Sequence, residues 1–139
     1  MDYQTQQGKL LPALAMAFSF HFAGQTLWQA YNDVQDQMES ESRNFERLPE
    51  LHSLACGLKA LVTQEVAETI DVLRRACGGH GFMSSSNLPR LWGLVTASCT
   101  YEGENTVLQL QVQDSLLAAT TTLRKICIFD RIASESQAF

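Results

Sequence analysis

Apolar residues recur at helical spacing in three long segments of this 139-residue chain. The segments span about residues 3–39, about residues 49–77, and a third stretch that begins near Asn105. The second is the most regular, and its apolar stripe consists of Leu51, Leu54, Leu58, Leu61, Val62, Val66, Ile70 and Leu73. Residues at this spacing lie on one face of an α-helix. The pattern predicts an all-α fold, an antiparallel helical bundle.

The first segment is apolar on nearly every face between Leu10 and Ala23, which predicts a central helix covered on several sides. Pro12 suits either the first turn of this helix or a kink in it. Residues 32–47 turn polar and acidic, and this composition predicts a connecting loop with a solvated surface.

Proline, glycine and asparagine residues indicate where the other helices begin and end. Pro49 suits the first turn of the second helix, and Gly78 is typical of a helix stop. Residues 78–104 form a connection that contains glycine and serine, with a short helix predicted after Pro89. Asn105 is a favourable N-cap for the third helix, while the threonines at 120–122 weaken the helical pattern beyond Ala119.

Charge and cysteine usage narrow the functional classes. A net charge of −5 and the absence of a basic run argue against binding to nucleic acid or to an anionic membrane. The longest apolar stretch, residues 10–24, falls short of the roughly 20 residues of a membrane span. Four cysteines without a Cys-x-x-Cys pair, and no signal-peptide pattern, predict reduced thiols, no metal site and an intracellular compartment.

Glu102 is the strongest candidate for chemistry. It stands beside Gly103, directly before the third helix, where a carboxylate can act as a general base on backbone that approaches a ligand closely. The alternative is a solvated glutamate stabilised by the helix dipole, the role that suits Glu104 better. A second glycine-rich run, residues 78–81, follows a helix instead of opening one, so a helix stop competes there with a phosphate cradle.

Several runs together resemble the acyl-CoA oxidases, flavoenzymes related to the acyl-CoA dehydrogenases. The similarity keeps the family's order and spacing across roughly residues 2–113, and its last run, residues 98–108, has Glu-Gly-Glu-Asn where the dehydrogenases have Glu-Gly-Thr. The other matching runs are residues 2–7, 9–10, 20–22, 48–52, 75–82 and 88–89. The resemblance implies a C-terminal helical domain over residues 1–113. It leaves residues 114–139 as a divergent tail, expected to continue as helix and then become irregular.

The resemblance also implies a site. Glu102 matches the family's base, which removes the proton alpha to the thioester of an acyl-CoA while FAD accepts a hydride from the beta carbon. A backbone N–H near the base is expected to stabilise the thioester oxygen. Gly78 and Gly79 match a loop that contacts the pyrophosphate of FAD, generally the one bound to a neighbouring subunit. Arg75 and Gln4 match further FAD-contacting positions.

The resemblance does not decide whether this chain acts as part of an enzyme or as an interaction module. Acyl-CoA oxidases are several times longer, so one hypothesis is a fragment of a peroxisomal enzyme that is inert without its flavin domain. Residues 137–139 do not form a Ser-Lys-Leu-type peroxisomal signal. The competing hypothesis is an inactive interaction module that forms a homodimer, or a heterodimer with a full-length oxidase subunit.

Overall fold

Four α-helices account for most of the computed structural model, which describes residues 2–40 and 44–136, with side chains up to residue 121. The helices are α1 (Gln4–Glu39), α2 (Leu48–Ala76), α3 (Leu88–Ala97) and α4 (Asn105–Ser136). Two short 3-10 turns, Gly78–Phe82 and Ser84–Ser86, connect α2 to α3. No strand occurs in the described ranges, so the all-α prediction is confirmed.

The central helix is α2, and the prediction that α1 is central was wrong. α2 packs against α1, α3 and α4, whereas among the described residues α1 contacts α2 but neither α3 nor α4. The outer side chains of α1 are therefore more than half exposed: Leu11, Leu14, Phe18, Phe22 and Trp28. The prediction that α1 is apolar was right, but in the part of the chain that the structure describes α2 is the one α-helix that packs on it.

The predicted loop over residues 32–47 is shorter than expected, because α1 runs on to Glu39. Val34 lies on the buried face of this last part of α1, and its side chain is 3% exposed. It lines a groove of about 660 Å³ with Met38 from α1 and Leu51 from α2. Pro12 lies within α1, beyond its first turn.

The α2–α4 contact uses small side chains that the large-residue stripe did not indicate. Cys56 and Ala60 of α2 are buried together with Leu108 of α4, and Val112 packs against them. A Cβ at Gly57 would lie 3.5 Å from Val112 Cγ2, so the two helices approach closely at this crossing. The predicted stripe was wrong for Leu54 and Leu61, which are 55% and 53% exposed.

The other part of the stripe packs on α1. Val66, Ile70 and Leu73 of α2 line a groove with Met16 and Phe20 of α1. This antiparallel arrangement brings the start of α1 to the end of α2, where Gln6 Nε2 donates to the carbonyl oxygen of Ala76 at 3.3 Å. The sequence-predicted FAD-contacting positions lie at this end.

Helix α1 has a second property that bears on the expected absence of a membrane span. By length and composition alone it is apolar enough to cross a membrane, and it is the one such helix among the described residues. The length argument made from residues 10–24 therefore does not hold, because the helix extends well beyond that run. An apolar core helix of a larger soluble protein satisfies the same criteria.

Candidate active site

Glu102 lies at the tip of a tight loop that enters α4. The loop is closed by a hydrogen bond from the backbone N–H of Asn105 to the carbonyl oxygen of Cys99, at 3.1 Å. Glu102 itself has φ +58°, in the left-handed region that non-glycine residues seldom adopt. Such strain costs of order 1–3 kcal/mol and persists only where the surroundings hold it, which makes Glu102 a candidate functional residue on backbone geometry alone.

Gly103 makes this loop geometry accessible. Its φ of +102° is unfavourable for any residue with a side chain. A Cβ here would also lie 2.8 Å from Cδ2 of Leu108, a buried residue of the core. Glycine is required at position 103 on both counts, its backbone conformation and its contact with Leu108.

Side chains of α2 form hydrogen bonds with the residues that follow Glu102. Lys59 Nζ donates to the carbonyl oxygen of Gly103 at 2.5 Å and to Oδ1 of Asn105 at 2.9 Å. Asn105 is 6% exposed, and its Nδ2 donates to the carbonyl oxygen of Ala60 at 3.3 Å. Thr63 Oγ1 lies 3.1 Å from the same Oδ1. A buried amide with these partners fixes the entrance of α4 onto the middle of α2.

The prediction that Asn105 is the N-cap was wrong, because Glu104 fills that role. Glu104 accepts hydrogen bonds from the backbone N–H of Thr106 at 2.9 Å and of Val107 at 3.3 Å. The Thr106 N–H is the largest cause of a lowered pKa for the Glu104 carboxyl, with contributions from Val107 and from the charge of Lys59. The surface role expected for Glu104 fits this geometry, and its carboxylate is engaged away from the tip of the loop.

The cap predicts a pH dependence of stability. A carboxyl whose pKa is lower in the folded state than in the unfolded state stabilises the fold above its unfolded pKa, and this contribution is lost as the pH falls through the folded pKa. We therefore expect Glu104→Gln to lower the free energy of unfolding at neutral pH more than in acid, where the parent carboxyl is protonated. Urea denaturation across this pH range measures it, and a pH-independent difference would contradict the assignment.

The four predicted FAD-contacting residues gather at the opposite end of α2. Gly78 follows the helix with φ +62°, which confirms the predicted glycine stop. Arg75 Nε lies 3.0 Å from Asp71 Oδ2, and the Arg75 side chain is 61% exposed. Gln4 is the first residue of α1, within one turn of the Gln6–Ala76 hydrogen bond. Gly78 and Gly79 have open space where a Cβ would be.

Arg74 organises this end of α2, and the sequence analysis did not single it out. Its guanidinium lies over the rings of Phe82 and Trp92, at 4.5 Å and 5.1 Å from the centroids. It also donates to Asp71 Oδ1 at 2.5 Å, and its backbone carbonyl contacts the position of a Cβ at Gly81. Arg74 therefore fixes the glycine-containing turn against both α2 and α3. The adjacent Arg75 is also an arginine, so the sequence alone does not show which of the two is packed. In the structure the Arg74 side chain is 11% exposed and that of Arg75 is 61% exposed.

Glu102 and the glycine turn are not brought together. The Glu102 loop lies against Lys59–Thr63, whereas Gly78 follows the end of α2, fifteen residues beyond Thr63 in the sequence. At 1.5 Å per residue, this separation is about 22 Å. The two groups of candidate residues are therefore separate, one at the middle of α2 and one at its end.

The described residues do not enclose Glu102. Its side chain is exposed, and Tyr101 beside it is 50% exposed. The dry pocket that a base requires must come from surfaces outside those described. Among the residues with described side chains, no group of three or more metal-binding residues occurs. Cys56, Cys77 and Cys99 are free thiols, and Cys127 lies outside the described side chains.

Comparison with known proteins places the chain in a family. The sequence model described as "Acyl-CoA oxidase, C-alpha1 domain" matches residues 1–117. The chain is 47% identical over 111 residues to acyl-coenzyme A oxidase 1 of Drosophila melanogaster, covering 80% of this chain and 16% of that protein. It is 50% identical over 116 residues to peroxisomal acyl-coenzyme A oxidase 2 of Oryctolagus cuniculus, covering 81% and 16%. The chain thus spans less than a fifth of the length of these relatives.

Solved structures agree. Acyl-CoA oxidase 1 of Arabidopsis thaliana superposes with a TM-score of 0.81 at 43% identity, over 89% of this chain and 19% of that one. Acyl-CoA oxidase-1 of Caenorhabditis elegans, solved with FAD and ATP, gives 0.83 at 38% identity, again over 89% and 19%. The resemblance recognised in the sequence is therefore confirmed in both sequence and fold: this chain belongs to the acyl-CoA oxidase family and corresponds to its C-alpha1 helical domain.

Proposed function

We propose that this chain supplies the general base, Glu102, and part of the FAD-contacting surface of an acyl-CoA oxidase. The observation that carries the proposal is the strained backbone of Glu102, held by α2 at a tip where its side chain is exposed. Among the described residues its carboxylate has no hydrogen-bond or ion-pair partner. A carboxylate kept free on a fixed loop is available to accept a proton from a substrate.

The reaction removes one proton and one hydride from adjacent carbons of an acyl-CoA. Glu102 takes the proton from the alpha carbon, and the electron pair of the C–H bond moves toward the thioester carbonyl. Bound FAD would supply the hydride acceptor for the beta carbon, and molecular oxygen would take up the electrons and leave hydrogen peroxide. A backbone N–H of the Glu102 loop would donate to the thioester oxygen as charge develops on it.

The residues at the end of α2 fit part of FAD, its pyrophosphate. The guanidinium of Arg75 provides an exposed cation, and the side chain of Gln4 an amide donor. Gly78 and Gly79 leave room for a phosphate to approach the backbone. This end lies about 22 Å from the base along α2. As the resemblance to the family implies, we assign it to the FAD bound to the neighbouring subunit of a dimer. The complete flavin pocket requires surfaces from elsewhere.

The known relatives support the chemistry. Acyl-CoA oxidase-1 of C. elegans has been solved with FAD and ATP, and acyl-CoA oxidase-2 of that organism with FAD, ascaroside-CoA and ATP. The latter is 36% identical, with a TM-score of 0.82. Several relatives are named peroxisomal oxidases, so we propose a peroxisomal location.

Flavin binding tests the division of the site. We expect the 139-residue chain alone to bind no FAD. Mixed with the flavin-domain polypeptide of an acyl-CoA oxidase, it should raise FAD binding above the amount that this polypeptide binds by itself. Titration followed by flavin fluorescence measures both. Arg75→Gln should weaken the uptake in the mixture, and Arg90→Gln on α3 is the matched control. Uptake by the chain alone would contradict the proposed division.

An inactive interaction module is the second candidate function. The exposed apolar side chains of α1 favour it, because Phe18 and Phe22 are 57% and 60% exposed on a helix that, among the described α-helices, packs on α2 alone. In this case the chain would pair with itself or with a full-length oxidase subunit and lower its activity. Co-purification with such a subunit, combined with an equal lowering of that subunit's activity by the parent chain and by the Glu102→Gln chain, would favour the module over the base.

A further inference from the structure

We propose that Lys59 is the positioning residue for the base, because it holds the backbone that follows Glu102 in its left-handed conformation. This inference rests on the proposed function, in which Glu102 is the base. Lys59 lies on α2, more than forty residues away in sequence, and reaches across the helix crossing to the loop.

The contacts of Lys59 are made to the loop backbone and to its anchor. Nζ lies 2.5 Å from the carbonyl oxygen of Gly103, the residue directly after the base, and 2.9 Å from Oδ1 of Asn105. A charged donor forms stronger hydrogen bonds than a neutral one. The Lys59 side chain is half-buried, so these bonds are less screened than those of a fully exposed lysine. One ammonium group therefore clamps both sides of the turn at Glu104.

This clamp accounts for the strain in the loop. Glu102 at φ +58° and Gly103 at φ +102° are consecutive residues in the left-handed region, and together they set the direction of the Glu102 side chain. Such a conformation relaxes unless the surroundings over-determine it. The closing hydrogen bond from Asn105 to Cys99 fixes the ends of the loop but not the Gly103 peptide. Lys59 is the side chain that fixes that peptide.

A direct electrostatic role on the base is less consistent with the geometry. The hydrogen-bond partners of Nζ are Gly103 and Asn105, and the carboxylate on which the Lys59 charge acts is that of Glu104. Lys59 therefore acts through the backbone. Losing it should misplace the carboxylate without removing it, which lowers kcat and leaves substrate affinity nearly unchanged.

Amide hydrogen exchange on the 139-residue chain tests the clamp without any catalytic assay. We expect Lys59→Met to lower the protection of the Asn105 amide about tenfold, the effect of losing roughly one hydrogen bond's contribution. Amides of α2 at residues 66–73 serve as the internal reference and should not change. Lys59→Arg, which keeps a charged donor, should restore most of the protection. If Lys59→Met unfolds the chain, Lys59→Gln replaces it, because Gln keeps a polar end but is too short to reach Gly103.

The kinetic test uses the chain complemented with an oxidase flavin-domain polypeptide. Lys59→Met should lower kcat by about 10-fold to 100-fold with KM within about twofold, and Lys59→Arg should recover most of it. Unchanged Asn105 protection, or a loosened loop with unchanged kcat, would overturn the proposal. If the complemented parent chain has no turnover, the proposed function fails, and the exchange result alone then decides whether Lys59 holds the loop.

Discussion

Replacing Glu102 by Gln is expected to lower turnover of acyl-CoA by about 1,000-fold, because the amide keeps the shape of the side chain but cannot accept the alpha proton. The measurement is hydrogen peroxide production from a saturated acyl-CoA by the chain complemented with an oxidase flavin-domain polypeptide. The variant should bind flavin as the parent does, since Glu102 lies about 22 Å from the glycine turn along α2.

Glu104→Gln is the matched control for this experiment. It removes the same charge only two residues away, from a carboxylate that binds the N–H groups of Thr106 and Val107. The control should retain most of the parent's turnover. Equal losses in both variants would point to the net charge or fold of the loop and would contradict the assignment of Glu102 as the base.

The second large effect is structural and concerns Gly81. A Cβ at this position would lie 1.9 Å from the carbonyl oxygen of Arg74 and 2.8 Å from its carbonyl carbon, which are backbone atoms of α2. Gly81→Ala must displace the glycine turn or the end of α2, and we expect a loss of about 3 kcal/mol in the free energy of unfolding. Chemical denaturation followed by circular dichroism measures this loss.

Gly79→Ala provides the comparison within the same turn. No atom lies within 4 Å of a Cβ at Gly79, so its stability should change by no more than about 0.5 kcal/mol. Similar losses at both glycines would show that backbone flexibility, and not the contact with Arg74, sets the requirement.

The sequence predicted the helices well where apolar periodicity was strong and local stop signals were present. The end of α2 illustrates this, because Gly78 adopts the left-handed conformation that the glycine stop requires. Long-range packing was less predictable. Periodicity showed that α1 is apolar but could not show that α2 is the helix with three neighbours. It also missed the small residues Cys56 and Ala60. Where two helices cross closely the buried side chains must be small, so they do not form a stripe of large apolar residues.

In the candidate site, too, local sequence features were predicted and long-range contacts were not. Glu102 was found because its neighbours in sequence carry the family's pattern, whereas its supports were missed because they lie on another helix. Lys59 lies outside the apolar stripe of α2, and Asn105 was predicted to be an N-cap. Their roles appear only once α4 crosses α2 and brings Asn105 within 2.9 Å of Lys59 Nζ. The conformation of Glu102 itself was not predictable from residue type, since left-handed glutamates are uncommon.

The central claim is that this chain contributes the base to an oxidase whose hydride acceptor is held elsewhere. Reduction of FAD by acyl-CoA in the absence of oxygen tests it most directly, with the oxidase flavin-domain polypeptide alone, with the parent chain, and with the Glu102→Gln chain. The account predicts bleaching of the flavin absorbance only when the parent chain is present. Bleaching at the parent rate with the Glu102→Gln chain, or without this chain at all, would contradict it.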